Sequence, residues 1–164
     1  MPMGASRPGD ENKRVESMKQ DDCLLCTTVG GKLIWENAQL RVIDAADALY
    51  PGFTRVIWQE HVREMTDLND QDRATIMQAV WTVETVMREV LQPDKINLAS
   101  LGNMVAHMHW HVIPRFRDDT HFPDAVWAAN KREAPVRVQQ AMVDEYHRRL
   151  QAAMRDNMSG TIKY

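Results

Sequence analysis

His107-Met108-His109-Trp110-His111-Val112-Ile113-Pro114 is the stretch on which the reading of this chain turns. In an extended strand, successive side chains point to opposite faces. His107, His109 and His111 are then expected on one face, with neighbours about 7 Å apart. Met108, Trp110 and Val112 fall on the other, which is apolar and should meet a core. One strand thus offers a packing side and a chemical side. Two chemistries suit the imidazoles. Histidines at alternate strand positions can hold a metal ion, with a third ligand completing the set. Alternatively, a neutral imidazole nitrogen attacks phosphorus. Its pKa near 6.5 leaves it largely unprotonated at neutral pH. The phospho-imidazole so formed is itself reactive, so one hard displacement becomes two easier ones.

Outward from this strand, Gly102-Asn103 reads as a turn and Ile96 to Leu101 as a strand. Ile76, Val80, Val83, Met87 and Val90 recur at three- and four-residue spacing and predict a helix. Asp67 or Asn69 would cap it and Pro93 would stop it. Before it, Phe53 to Trp58 is β-branched and aromatic, a buried strand entered through the turn Tyr50-Pro51-Gly52. Lys32 to Glu36 and Gln39 to Ile43 predict a hairpin about Asn37-Ala38, after a Gly30-Gly31 turn. Arg115 to Lys131 reads as irregular. Pro135 is placed to start a last helix, with Val136, Met142, Tyr146, Leu150 and Met154 on its apolar side. The expected class is α+β, with an antiparallel sheet of about five strands.

The 164 residues suit one domain, with 44 % hydrophobic and 26 % charged residues. We expect a flexible leader over residues 1–20, the domain over 21–155 and a polar tail over 156–164. A net charge of -3 gives no reason to expect nucleic acid as partner. No apolar run approaches the roughly 20 residues that span a bilayer, and residues 1–20 lack the apolar core of a signal peptide. Two closely spaced cysteines, Cys23 and Cys26, do not make a disulfide scaffold, so a cytoplasmic location is expected. The pair lacks the βαβ context of a redox motif, and its other ligands lie too far away for a small zinc finger. A zinc site assembled by the fold stays open. So do two reduced thiols.

His-x-His-x-His followed by two apolar residues resembles the signature of the histidine triad (HIT) family. Cys23-x-x-Cys26, Tyr50-Pro51-Gly52-Phe53 before a strand, His61 at its end and Gly102-Asn103 ahead of the triad resemble further HIT positions. The likeness runs from about Asp21 to Arg117 and is greatest toward bacterial HIT hydrolases related to diadenosine tetraphosphate hydrolases. It implies a HIT-like fold with one long central helix and a C-terminal helix, in a homodimer joined through its sheets. It implies hydrolysis or transfer at the α-phosphate of an adenosine dinucleotide polyphosphate or nucleoside phosphoramidate. His109 would be the nucleophile, forming a nucleotidyl-histidine, and His111 would help bind phosphate. Asn103 and Asn97 would contact phosphate, and Asp44 or Asp47 the ribose. As in several HIT proteins and galactose-1-phosphate uridylyltransferases, Cys23, Cys26, His61 and His107 would hold a structural zinc. No catalytic cofactor would be required.

Some phosphoramidate-cleaving members carry serine five positions before the nucleophile. Met104 stands there and has no proton to give an amine leaving group. Two rival readings stand beside this one. One is a metallohydrolase with a catalytic ion on His107, His109 and His111. The other is a nucleotide-binding regulatory module without turnover. His121 and His147 are expected at the surface. Arg115 and Arg117 are read as phosphate contacts or a solvated strand exit, and Phe122, Pro123 and Trp127 as a lid or a packing loop.

Overall fold

The computed structural model describes residues 19–158. The helix α1 (Leu24–Thr27) precedes the hairpin β1 (Lys32–Glu36) and β2 (Leu40–Asp44), then β3 (Thr54–Trp58). A 3-10 turn (Met65–Asp67) leads into α2 (Asp70–Leu91), β4 (Lys95–Ala99), β5 (His109–Arg115) and α3 (Gln140–Met158). The strands form one antiparallel sheet in the order β1-β2-β3-β5-β4. Both the expected α+β class and the expected helices are present.

Local chemistry explains the element ends. The Asn37 carboxamide accepts from the amides of Gln39 and Leu40 and closes the hairpin. Asn69 caps α2 by accepting from the Asp72 amide. Asp67 instead braces the 3-10 turn through the amides of Arg63 and Glu64. The helix ends where Gln92 turns left-handed at φ 49°, directly before Pro93.

Two layers result. Leu40, Val42, Val56, Trp58 and Val112 face α2 and α3 and are buried against Ile76, Val80, Val83, Met87, Tyr146 and Leu150. Tyr146 donates to Thr54 Oγ1 at 2.8 Å, tying α3 to β3. The opposite face presents Arg41, Ile43, Arg55, Ile57, His109 and His111, as the registers Ile43↔Arg55, Arg55↔His111 and Ile57↔His109 require. Neither α2 nor α3 covers it. The segment holding Cys23 and Leu25 lies over Ile43 and Ile57 instead.

Four expectations change. First, β5 begins at His109, so His107 precedes the strand; the ladder with β3 starts only at Ile57↔His109. The strand continues through Pro114, beyond the last β3 pairing at Val112, where a residue without an N–H is tolerated. Second, Pro135 does not start α3. Arg137 pairs with Asp118 and Val138 is buried, which keeps this stretch out of the helix and leaves Val136 83 % exposed. Third, α3 reaches Met158, so residues 156–158 are helical rather than tail. The leader and tail otherwise fall on residues 1–18 and 159–164, outside the described residues.

Fourth, the segment after β5 is built around one buried carboxylate. Asp119 accepts two bonds from the Arg115 guanidinium, at 2.7 and 3.1 Å. It also accepts from the amides of Phe116, His121 and Phe122 and from the Tyr50 hydroxyl. Burial pushes its pKa up, but the Arg115 bonds and the amides outweigh this and hold it down at about 2. His121, expected at the surface, is 3 % exposed and bonded to Tyr50 and Asn130. Because the folded pKa is depressed, the stabilisation is full above the ordinary carboxylate value and is lost as pH falls from about 4 toward 2. Asp119→Asn should cost about 3 kcal/mol at pH 7, since it leaves Arg115 buried without a counter-charge. In urea unfolding, the gap between wild type and variant should narrow between about pH 5 and 2. A gap that does not change with pH would refute this account.

Candidate active site

Two groups of side chains occupy the face opposite α2 and α3. The first is the pair His109 and His111, with rings 4.8 Å apart at 72°. They are 8 % and 6 % exposed. His109 Nδ1 lies 2.6 Å from the His107 carbonyl oxygen. A carbonyl only accepts, so Nδ1 carries the proton and Nε2 keeps its lone pair. Burial lowers the His109 pKa below its ordinary value, and the nearby Arg55 charge adds to this. His111 is lowered to about 3 by burial, then by His109 and Arg55. Both imidazoles are therefore neutral at pH 7.

His111 is walled by Phe53 at 5.5 Å and Trp127 at 5.3 Å between ring centroids. Its Nδ1 is buried and has no hydrogen-bond partner among the described residues. Ser100 Oγ donates to the His109 carbonyl at 2.9 Å, tying the chain after β4 to the start of β5.

The second group is Cys23, Cys26, His61 and His107, whose donor atoms all lie within 4.8 Å of one another. His107 Nδ1 is 3.5 Å from Cys23 Sγ and 3.4 Å from Cys26 Sγ, and His61 Nδ1 is 3.3 Å from Cys26 Sγ. Tetrahedral zinc with bonds of about 2.0–2.3 Å has ligand–ligand edges of about 3.3–3.8 Å. The donor set and its spacing fit such an ion. His107 Nε2 donates to the Trp58 carbonyl at 2.7 Å, which leaves Nδ1 free to ligate. The cysteine segment is held on the sheet by Arg41, which donates to the carbonyls of Leu25, Thr28 and Val29.

The other anticipated residues are placed less uniformly. Asn103 is exposed in the turn after Gly102, whose φ is 75°. Asn97 shares the histidine face, opposite Ile113, but its Oδ1 accepts from Arg115 at 2.6 Å. Asp44 has the parity of Leu40 and Val42, on the helix side. There its carboxylate accepts from His147 at 2.8 Å and from the Ala46 amide. His147, expected at the surface, is largely buried by that contact. The fold does not bring the Asp44 carboxylate to the histidines. Asp47 accepts from the amides of Leu49 and Tyr50, and its charge reaches Arg55. Met104 is 96 % exposed.

Arg55 escaped the reading of the sequence, where Phe53 to Trp58 is simply a buried strand. The available signal was parity, because a charge at position 55 shares one face with Phe53 and Ile57 inside an apolar run. Trp127 carried no distinctive spacing.

Residues 28–118 match the family model of the HIT domain. The chain belongs to the HIT family. HIT proteins are nucleotide-binding proteins of hydrolase type. Among solved HIT structures, a histidine triad protein from Bradyrhizobium japonicum is 25 % identical. The match covers 79 % of this chain and 91 % of that one, with a TM-score of 0.62. A Zn-bound histidine triad family protein from Mycobacterium smegmatis shares the fold at 24 % identity, over 84 % and 96 % of the two chains, with a TM-score of 0.55. An AP-4-A phosphorylase of Mycobacterium tuberculosis is 30 % identical over 78 residues, 44 % of this HIT chain and 40 % of that protein. No helix of the described residues is long and apolar enough to cross a membrane.

Proposed function

We propose that this HIT protein cleaves an adenosine dinucleotide polyphosphate at the α-phosphate through a nucleotidyl-His109 intermediate. One observation carries the reading. The His107 carbonyl holds the proton on His109 Nδ1, so the Nε2 lone pair is available on the face shared with His111. Nε2 attacks phosphorus in line, the Nε2–P bond forms, and the P–O bond to the leaving phosphate breaks with its electrons. Water then attacks the same phosphorus and releases a proton to solvent. The N–P bond breaks, its pair returns to Nε2, and a nucleoside monophosphate leaves. His111 accompanies the phosphate oxygens, Asn103 is near enough in sequence to close over them, and Asp47 is kept as the ribose carboxylate because Asp44 is engaged by His147.

A phosphate leaving group departs as a stable anion, whereas an amine must first gain a proton. Met104, exposed and without a proton to give, therefore favours the anhydride over the phosphoramidate. The relative named AP-4-A phosphorylase supports that choice. The geometry also disfavours a catalytic ion on three histidines. Both nitrogens of His107 face other partners, the Trp58 carbonyl and the cysteine sulfurs.

We further propose that Cys23, Cys26, His61 and His107 hold structural zinc, as the Zn-bound Mycobacterium smegmatis relative suggests. The ion would be a closed four-ligand tie, supplying no chemistry of its own. These residues position the His107 carbonyl and, through it, the His109 ring. A homodimer, carried over from the family resemblance, and a cytoplasmic location, expected from the cysteine usage, complete the reading.

Diadenosine tetraphosphate labelled at the α-phosphate tests the mechanism. Quenching in alkali during turnover should leave label on the protein, and acid should release it. Folded protein that shows neither adduct nor turnover would leave only the nucleotide-binding module.

A further inference from the structure

Three arginines project from the histidine face, and two are fully engaged. Arg41 donates to three carbonyls and to Gln59 Oε1. Arg115 donates to Asp119, Asn97 and the Asp124 carbonyl. Arg55 has neither a hydrogen bond nor an ion pair among the described residues, and its Nε is buried without a partner. Among the described residues, the other buried side-chain atom without a partner is His111 Nδ1. These two atoms belong to directly opposed residues, Arg55 on β3 and His111 on β5. Buried polar groups are nearly always bonded, and such exceptions call for a reason. Here the exceptions sit side by side, next to His109.

The surroundings hold the guanidinium without consuming its donors. Its carbon lies 5.5 Å from the Phe53 ring centroid, and Phe53 in turn packs at 5.5 Å against His111. Asp47 lends charge at a distance, while its Oδ1 is occupied by the amides of Leu49 and Tyr50. A fixed planar cation with free donors suits a tetrahedral oxyanion.

We propose that Arg55 is a phosphate-binding residue that, beside His111, grips the non-bridging oxygens of the phosphate transferred to His109. The assignment rests on the function proposed above. Arg55 then carries the charge recognition of the substrate, while the base and ribose are held elsewhere.

Calorimetric titration with adenosine monophosphate and with adenosine separates the cases, on wild type, Arg55→Gln, Arg55→Lys and Arg55→Met. Loss of a charge-assisted pair should weaken adenosine monophosphate roughly 10- to 100-fold in Arg55→Gln. Adenosine should bind as before, and Arg55→Lys should recover part of the loss. Arg55→Met should melt no lower than wild type, because it removes an unpartnered buried donor; a structural arginine would give a lower Tm. Equal adenosine monophosphate affinity in wild type and Arg55→Gln would overturn the proposal. So would an equal loss for adenosine. Binding is read without turnover. If wild type forms no adduct yet needs Arg55 to bind adenosine monophosphate, the catalytic reading fails and the phosphate site stands.

Discussion

His109→Gln should lower turnover of diadenosine tetraphosphate by about 10⁴-fold or more and abolish the alkali-stable adduct. Glutamine keeps a polar side chain of similar reach, so the carbonyl of His107 retains a donor within range. What is lost is the nucleophilic lone pair. Removal of a covalent nucleophile typically costs this much, because what survives is only binding and charge stabilisation of attack by water. Binding of adenosine monophosphate should change little, since Arg55 and His111 remain. Steady-state kinetics, with calorimetry on the same sample, check both parts. A variant retaining more than about 1 % of activity would remove His109 from the nucleophile role. The metallohydrolase reading predicts a different pattern, in which a chelator stops wild-type turnover at once and added metal restores it.

The second large effect concerns the cysteine–histidine cluster. Wild type should carry one zinc per chain, and Cys26→Ser should lose it. Metal binding in small zinc domains supplies about 10–16 kcal/mol of apparent folding free energy. This fold has its own core between the sheet and α2 and α3, so only part of such a term should appear. We expect a loss of about 3–5 kcal/mol, a fall in Tm on the order of 10 °C for a chain of this size. Chelation should inactivate slowly, as the cysteine segment leaves Ile43 and Ile57 and the His107 carbonyl drifts from His109. Zinc analysis, scanning calorimetry and a time course with chelator measure the three effects. Protein free of zinc after growth in zinc-supplemented medium, with Tm unmoved by Cys26→Ser, would sink the metal site.

Much of this was legible in the residues themselves, and the reason is periodicity. Apolar residues at helical spacing located α2, β-branched and aromatic residues in Phe53 to Trp58 located β3, and alternation in His107 to Ile113 located β5. Turn chemistry at Asn37 and Pro93 bounded the elements between them. Alternation also placed His109 and His111 on one face, opposite Val112. The same logic began the strand two residues early, because pairing with β3 starts only at His109 and His107 lies ahead of it. It misread Pro135, whose suitability for a helix start is a local preference that the Asp118–Arg137 pair and the burial of Val138 override. His121 and His147 looked solvated because nothing nearby in sequence needed them.

The sequence by itself determined the family, the α+β class and the two histidines of the chemical face. Those features reside in residue type and short spacing, which local backbone geometry converts directly into faces. Tertiary structure alone decided the different bonding of the three histidines. It gathered donors 84 residues apart around His107, turned the Asp44 carboxylate toward α3, and left Arg55 without a partner beside His111. Hydrogen-bond partners come from whichever distant segments the packing brings together, and no local period encodes that choice. The histidine run therefore divides after folding, with His107 beside the cysteines and His109 paired with His111 across from Arg55 and Ile57.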